Sequence, residues 1–335
     1  TQGVSSAASD VYKRQAQGCA STGMIFAMHQ IQVACLLAHA TDAPWHRNAL
    51  SRIAQQQLLL ASATSEAGVG GNIRESRCAI QPAGDGRVAV EKEATAVSYG
   101  AQGDMLLLTA RRAPDAAPSD QVLIVLDRAD YRLELTGNWD ALGMRGTCSE
   151  PFRITAQASV EQILPGSLGT VAAETMKPVA HILWGAVWAG IASDALARTR
   201  AYLRNGLRSV PAGAPTPDLA RFAEAAEHLL AAEGMVAAAL RRFGEPGRPA
   251  RPFNEGGGAA AMNLLKTAVS DAALAVVTQC LAVCGLAAYR NDGLYSLGRH
   301  LRDLQSAPLM VGNDRIRRNS GHLLLMGRDT GPRFA

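Results

Sequence analysis

Hydroxyls and glycines, more than acids or metal ligands, mark the places where this chain could do chemistry. The run Leu60-Ala61-Ser62-Ala63-Thr64-Ser65-Glu66-Ala67 leads into a glycine-rich turn, Gly68-Val69-Gly70-Gly71. Such a turn often announces a nucleotide cofactor. This one matches neither G-x-G-x-x-G nor a phosphate-binding loop, because no Gly-Lys-Ser/Thr follows and the next segment reads as strand, which argues against a Rossmann domain. Ser65 offers one hydroxyl that both donates and accepts. Lys177 reads first as a lysine that snorkels to the surface, with a ligand oxygen as the alternative partner, and His181 beside Trp184 reads first as a satisfied structural histidine. Arg315, Arg317 and Arg318 form a solvated helix face, with a phosphate-bearing ligand as the alternative. The six cysteines, at 19, 35, 78, 148, 280 and 284, contain no Cys-x-x-Cys pair. They read as reduced thiols, and Cys280 and Cys284 as core packing on one helix face, so no metal site is expected.

These groups need a scaffold. A chain of 335 residues exceeds the size at which one hydrophobic core stops growing, so two or three packed units are expected. With 48% hydrophobic and 19% charged residues the composition suits a globular protein with largely buried helices. Aromatics are only 5%, so Ala, Leu and Val must fill the core. A formal charge of +4, from 33 basic and 29 acidic residues dispersed along the chain, gives no support for nucleic-acid binding. The apolar stretch 23–40 is interrupted by His29, Gln30 and Gln32, which argues against a membrane span, and no secretory leader is visible. A cytoplasmic protein is expected.

Residues 1–15 show no useful periodicity and read as a non-native leader. From there to 57 apolar residues recur at steps of three and four, a helical pattern. Between 58 and 165 short apolar runs alternate with turn signals, which predicts a small antiparallel barrel or sandwich. From 166 to 335 the helical period returns, with helices over 179–203, 219–243, 259–288 and 313–326, a proline-rich loop at 211–217 and a Gly/Pro linker at 244–258. Long helices with short connectors predict an antiparallel bundle. The fold class is therefore α+β multidomain: a partial N-terminal helical domain, a middle β domain and a C-terminal four-helix bundle.

Two segments carry a resemblance. The run 60–71 and Trp139-Asp140-Ala141-Leu142-Gly143-Met144-Arg145-Gly146-Thr147-Cys148-Ser149 are similar to the paired middle-domain motifs of FAD-dependent acyl-CoA dehydrogenases. The layout of the whole chain resembles that family, with most of the first helical domain absent, as in an N-terminally truncated member. The resemblance implies FAD as cofactor, an oxidoreductase of lipid metabolism, and α,β-dehydrogenation of an acyl thioester on CoA or an acyl carrier protein. Ser65 stands in the place of the family's Thr-Glu-Pro-Gly hydroxyl, and Ser98, in Ala94-Thr95-Ala96-Val97-Ser98, in the place of the hydroxyl aimed at flavin N5. Leu309-Met310-Val311-Gly312-Asn313-Asp314-Arg315-Ile316 aligns with Ile-Tyr-Glu-Gly-Thr-x-Gln-Ile. Val311 thus replaces the catalytic Glu, and Asn313 and Arg315 fall on positions that touch FAD.

Removing an α-proton needs a positioned base, and valine cannot serve. The position used by other family members, before a basic residue at the start of the long bundle helix, holds Met176 before Lys177. His181 becomes the reserve candidate base, while Asp314 is expected to cap the final helix. Two alternatives stay open: a flavin monooxygenase or oxidase of the same fold, and a non-catalytic family member or fragment. A homodimer or homotetramer is implied, with an electron-transfer flavoprotein or another acceptor as possible partner.

Overall fold

The computed structural model describes residues 6–40, 42–70, 72–208, 218–244 and 256–326. The expected loop at 211–217, most of the linker at 244–258 and Gly71 lie outside the described residues. The chain divides into two compact units, one comprising 25–140 and 145–180, the other 2–24, 141–144 and 181–335.

The first unit opens with helices α2 (Ala20–His39) and α3 (Pro44–Gln56). The division itself falls within α2, whose first five residues belong to the second unit. Two sheets follow. One has the order β1 (Leu60–Ala63), β4 (Met105–Arg111), β5 (Gln121–Asp127); the other runs β2 (Gln81–Pro82), β3 (Arg87–Val97), β7 (Glu150–Ser159), β6 (Tyr131–Leu135). Among the described residues the strands pair antiparallel except β1 with β4, which run parallel, and an isolated parallel bridge joins Ala79 to Arg111. The parallel pair corrects the purely antiparallel expectation. Its cause is that β1 arrives from a helix and not through a hairpin. Strands β4 and β5 are apolar at nearly every position and buried on both faces. One face packs with Val88, Val90, Phe152 and Ile154 of the second sheet, the other with Cys35, Leu36, Ala49 and Ile53 of α2 and α3.

The second unit is built on α5 (Lys177–Arg208), α6 (Leu219–Gly244), α7 (Gly256–Cys284) and α11 (Asn313–Met326), with short helices α8 (Leu286–Tyr289), α9 (Gly298–Leu304) and α10 (Ser306–Leu309) between the last two. The division between units falls inside α5, between Ala180 and His181. The short helix α4 (Leu168–Val171) and a π-helical turn, Ala172–Met176, lead into α5.

Residues 6–15, read from sequence as without useful periodicity, are helical. They lie in α1 (Ser6–Gly18), which packs into the second unit: Tyr12 is buried, Lys13 pairs with Glu233, and Gln17 donates to Ser193 at 3.2 Å. The reason is close approach. Gly190 of α5 meets the backbone of Lys13 with no room for a Cβ. Residues 141–144 also belong to this unit, the Met144 amide donating to the Asp303 carboxylate at 2.7 Å.

Three helical stretches, Ala20–His39, Leu168–Leu207 and Gly257–Cys284, are long and apolar enough to cross a bilayer by length and composition, the first of them contrary to the reading of 23–40. Half of the first window and 78% of the second are buried inside the fold, against 44% of the third.

Candidate functional site

The first cluster grows from a bulge. Strand β3 pairs with β7 residue by residue up to Ala94↔Phe152, then slips before Val97↔Glu150. A bulge leaves backbone groups unpaired by the ladder, and buried ones must find other partners. Ser65 supplies them: its hydroxyl donates to the Ala96 carbonyl at 2.8 Å and accepts from the Ala96 amide at 3.0 Å. The Ser65 proton is thereby committed, leaving this oxygen only acceptor capacity toward a ligand. Just beyond the bulge, half-exposed Ser98 lies 2.8 Å from the Ser149 hydroxyl. Ser65 is thus held to residue 96, two positions before Ser98.

Glu66 holds the loop that follows. Its carboxylate accepts from the Ser76 hydroxyl at 2.7 Å and from the amides of Arg77 and Cys78 at 2.8 and 2.7 Å, and it lies 3.6 Å from the Lys92 ammonium. Burial pushes the Glu66 pKa up, but Ser76, Lys92 and the two amides outweigh it and hold the group below its ordinary value. Lys92, fully buried, also donates to the carbonyl and hydroxyl of Thr109, both at 2.8 Å; its pKa is lowered by burial against the raising influence of Cys78 and Glu66. The two shifts pull in opposite directions for the pair's charge. The three donors at normal distance make ionised Glu66 the firmer assignment. The loop they close carries Gly68 (φ 80), over which the Arg77 guanidinium folds, and Gly70 (φ 59), where an added Cβ would meet nothing within 4 Å.

At the π-helical turn, Glu174 is half-exposed and Thr175 bonds the His39 ring at 2.9 Å. Lys177 follows, partly buried, its pKa lowered by burial and then by the charge of Arg74. Met176 leaves its position without a carboxylate.

The second cluster surrounds the turn Met310-Val311-Gly312. Val311 (φ 59) and Gly312 (φ 66) are both left-handed, a conformation strained for a β-branched residue. Lys266 of α7, fully buried, spans the turn, donating to the Ala307 carbonyl at 2.8 Å and to Asn313 Oδ1 at 2.6 Å, with its ammonium 5.4 Å from the Trp188 ring centre. The Asn313 amide donates to Ser270 and Asp271, each at 3.3 Å. Asn313 is therefore enclosed, and its side chain holds the turn together. Arg315 is half-buried on the next turn of α11, and Asp314 is exposed in its first turn. His181 is buried, and its Nδ1 donates to the Met262 carbonyl at 2.8 Å, which leaves the lone pair on Nε2. Among the described residues no group of three or more His, Cys, Asp or Glu is placed to hold a metal. Sequence reasoning gave no role to Ser149, Lys92 or Lys266, each of which pairs with a partner more than 15 residues away.

Residues 169–322 match the family model for the acyl-CoA dehydrogenase C-terminal domain. That segment, the greater part of the second unit, is thus similar to the C-terminal domain of acyl-CoA dehydrogenases. Solved structures extend the likeness of fold over nearly the whole chain. Butyryl-CoA dehydrogenase from Megasphaera elsdenii is 18% identical, with a TM-score of 0.78 over 94% of this chain and 80% of that one. TdsC from Paenibacillus sp. A11-2, in complex with FMN and indole, is 22% identical with a TM-score of 0.80, over 97% and 84%. A nitrososynthase from Micromonospora carbonacea var. africana is 19% identical with a TM-score of 0.74, over 94% and 81%. No curated protein sequence matches the chain. The chain thus shares its fold with solved proteins whose names point to different ligands.

Proposed function

We propose that the chain is a flavin-dependent oxidoreductase of the oxygenase or oxidase kind. The observation that carries this reading is Val311: where the family's dehydrogenases place a carboxylate, this chain has an apolar side chain on a strained turn locked by Lys266 and Asn313. Abstraction of an α-proton demands a base within hydrogen-bond reach. Oxidation of a substrate by reduced flavin and dioxygen makes no such demand at that position.

The polar cluster of the first unit fits an isoalloxazine edge. Ser98 presents a half-exposed hydroxyl, and Ser65, bonded to residue 96, an oxygen with acceptor capacity. The bound flavin would take two electrons from a reductant or substrate and pass them to dioxygen or to a protein acceptor such as an electron-transfer flavoprotein. FAD was expected at Ser65, Ser98, Asn313 and Arg315. With the Asn313 amide spent inside the bundle, Arg315 remains as the side chain for the dinucleotide end, and FMN is supported as an equal occupant. A homodimer or dimer of dimers is supported by α7, less than half buried along its apolar window, and by exposed Leu286, Tyr289 and Leu294.

A second reading, dehydrogenation of an acyl thioester, is favoured by one feature. The π-helical turn carries the half-exposed carboxylate of Glu174, whose charge acts on the His39 ring, and such turns recur at functional sites. The two readings part under anaerobic conditions. Loaded with FMN or FAD, the protein is expected to keep its oxidised spectrum when butyryl-CoA or octanoyl-CoA is added, and after photoreduction to consume dioxygen rapidly. Anaerobic bleaching by an acyl-CoA, lost in Glu174→Gln, would establish the dehydrogenase instead. A protein that takes up neither flavin would be the non-catalytic family member.

A further inference from the structure

Ser98 is the outer end of a row of three hydroxyls. Its Oγ lies 2.8 Å from Ser149 Oγ, and that oxygen lies 2.8 Å from Thr147 Oγ1. Ser149 and Thr147 are only 6% and 3% exposed, so the row runs inward from a half-exposed end. Two left-handed residues make it possible, Tyr99 (φ 44) just after Ser98 and Cys148 (φ 44) between Thr147 and Ser149. The two segments are tied by the Tyr99 amide donating to the Thr147 carbonyl at 2.8 Å. A left-handed non-glycine residue is strained, and strain of this kind is retained where surrounding structure over-determines it, often at functional sites.

Each hydroxyl has one proton, so the row has a sense. With Ser149 donating to Ser98, the Ser98 proton is available to point outward; with Ser98 donating to Ser149, its outward side only accepts. The inner members are enclosed, which makes the row a device for orientation and not a path for protons to solvent. The N5 atom of an oxidised isoalloxazine accepts a hydrogen bond and that of the reduced ring donates one. A hydroxyl facing it must reverse with the redox state.

Resting on the flavin reading above, we infer that Ser149, backed by Thr147, is a positioning residue: it receives the Ser98 proton when the flavin is reduced and so stabilises the reduced form. Without Ser149, Ser98 still donates to oxidised flavin but has no fixed acceptor for its own proton when it must accept.

The test uses the full chain loaded with FMN, reading the affinity for oxidised FMN and the two-electron midpoint potential. Ser149→Ala is expected to weaken the preference for reduced over oxidised flavin about tenfold, the scale of one hydrogen bond, which is about 30 mV toward the negative. Affinity for oxidised FMN should hardly change. Ser149→Thr, which keeps the hydroxyl, should restore the potential. In a Ser98→Ala background, Ser149→Ala should add nothing, because it acts only through Ser98. An unchanged potential in Ser149→Ala, or an equal shift with and without Ser98, overturns the inference while leaving the flavin reading intact. Failure of the wild type to bind FMN or FAD overturns both.

Discussion

Each unit of the molecule buries one lysine completely, and the two are neutralised in different ways. Lys92 in the β unit faces a carboxylate, Glu66, and shares it with three other donors. Lys266 in the helical unit donates to two uncharged oxygens and lies beside the Trp188 ring. Burial, against Asp271 and with Arg317, brings its pKa down to about 8. A neutral amine keeps two N–H groups, enough for Ala307 and Asn313, so this knot survives loss of its proton. The β knot does not survive loss of its charge. The polar loop of the β unit is fixed by an ion pair, and the apolar turn of the helical unit by a network that tolerates neutrality.

The largest effect is expected from breaking the charged knot. Lys92→Met leaves the Glu66 carboxylate buried without its cation, and removal of one partner of a buried pair typically costs about 3–5 kcal/mol. Denaturant unfolding should show a loss of that size. Because the folded-state pKa of Glu66 is lowered, its contribution is full above the unfolded value, about 4.3, and disappears as pH falls through the folded value. Wild type should lose stability on acidification below about pH 4 more steeply than Glu66→Gln. Parallel profiles for the two would break the comparison on the β side.

Lys266→Met is expected to cost less, about 1–3 kcal/mol, the price of leaving buried acceptors without a donor, partly offset because no amine is then buried. The sign of its pH dependence is opposite to ordinary intuition. Between the folded pKa of about 8 and an unfolded one near 10.4 the unfolded chain binds more protons, so wild-type stability should rise with pH across that window. Lys266→Met should lack the rise. If wild type instead weakens from pH 8 to 10 relative to this variant, the neutral-knot account is wrong.

Val311→Gly should give the smallest effect, with the opposite sign. Relief of a left-handed valine is worth about 1–2 kcal/mol, and the extra freedom of glycine in the unfolded chain takes back about 0.5–1 kcal/mol. A net gain of roughly 0.5–1 kcal/mol by denaturant unfolding is the expected outcome. A loss would mean that the valine side chain contributes more by packing than its backbone costs.

Local signals were legible where they were periodic. Helix α11 begins at Asn313 and ends at Met326 as the apolar period predicted, and α6 differs from expectation by one residue. Strand β6, Tyr131–Leu135, escaped notice because its outward face is charged and only Tyr131 is buried. Helix α1 was set aside because its buried side includes small and polar residues whose burial depends on Gly190, far away in sequence. At the candidate site the same rule holds. Ser65 and Ser98 could be found from motif spacing, whereas Ser149 is joined to Ser98 by a hydrogen bond across 51 positions. Lys92 and Lys266 gave no signal in sequence, because the partners that hold them lie 17 and 47 positions away. Asn313 was assigned to a cofactor because its alignment fits, and only the structure discloses that Lys266 already occupies its oxygen.

One small feature bears on how the chain could be divided. Residues 141–144, flanked on both sides by the β unit, belong to the helical one: Gly143 sits against the Arg302 backbone with no space for a Cβ, and the Met144 amide meets Asp303. No single cut of the polypeptide separates the units. A fragment ending at Ala180 carries away the peptide that satisfies the Asp303 carboxylate, and the remaining fragment keeps its empty socket. Two such halves should therefore recognise one another when mixed, which makes the α5 boundary a natural place to build a reporter from complementing fragments.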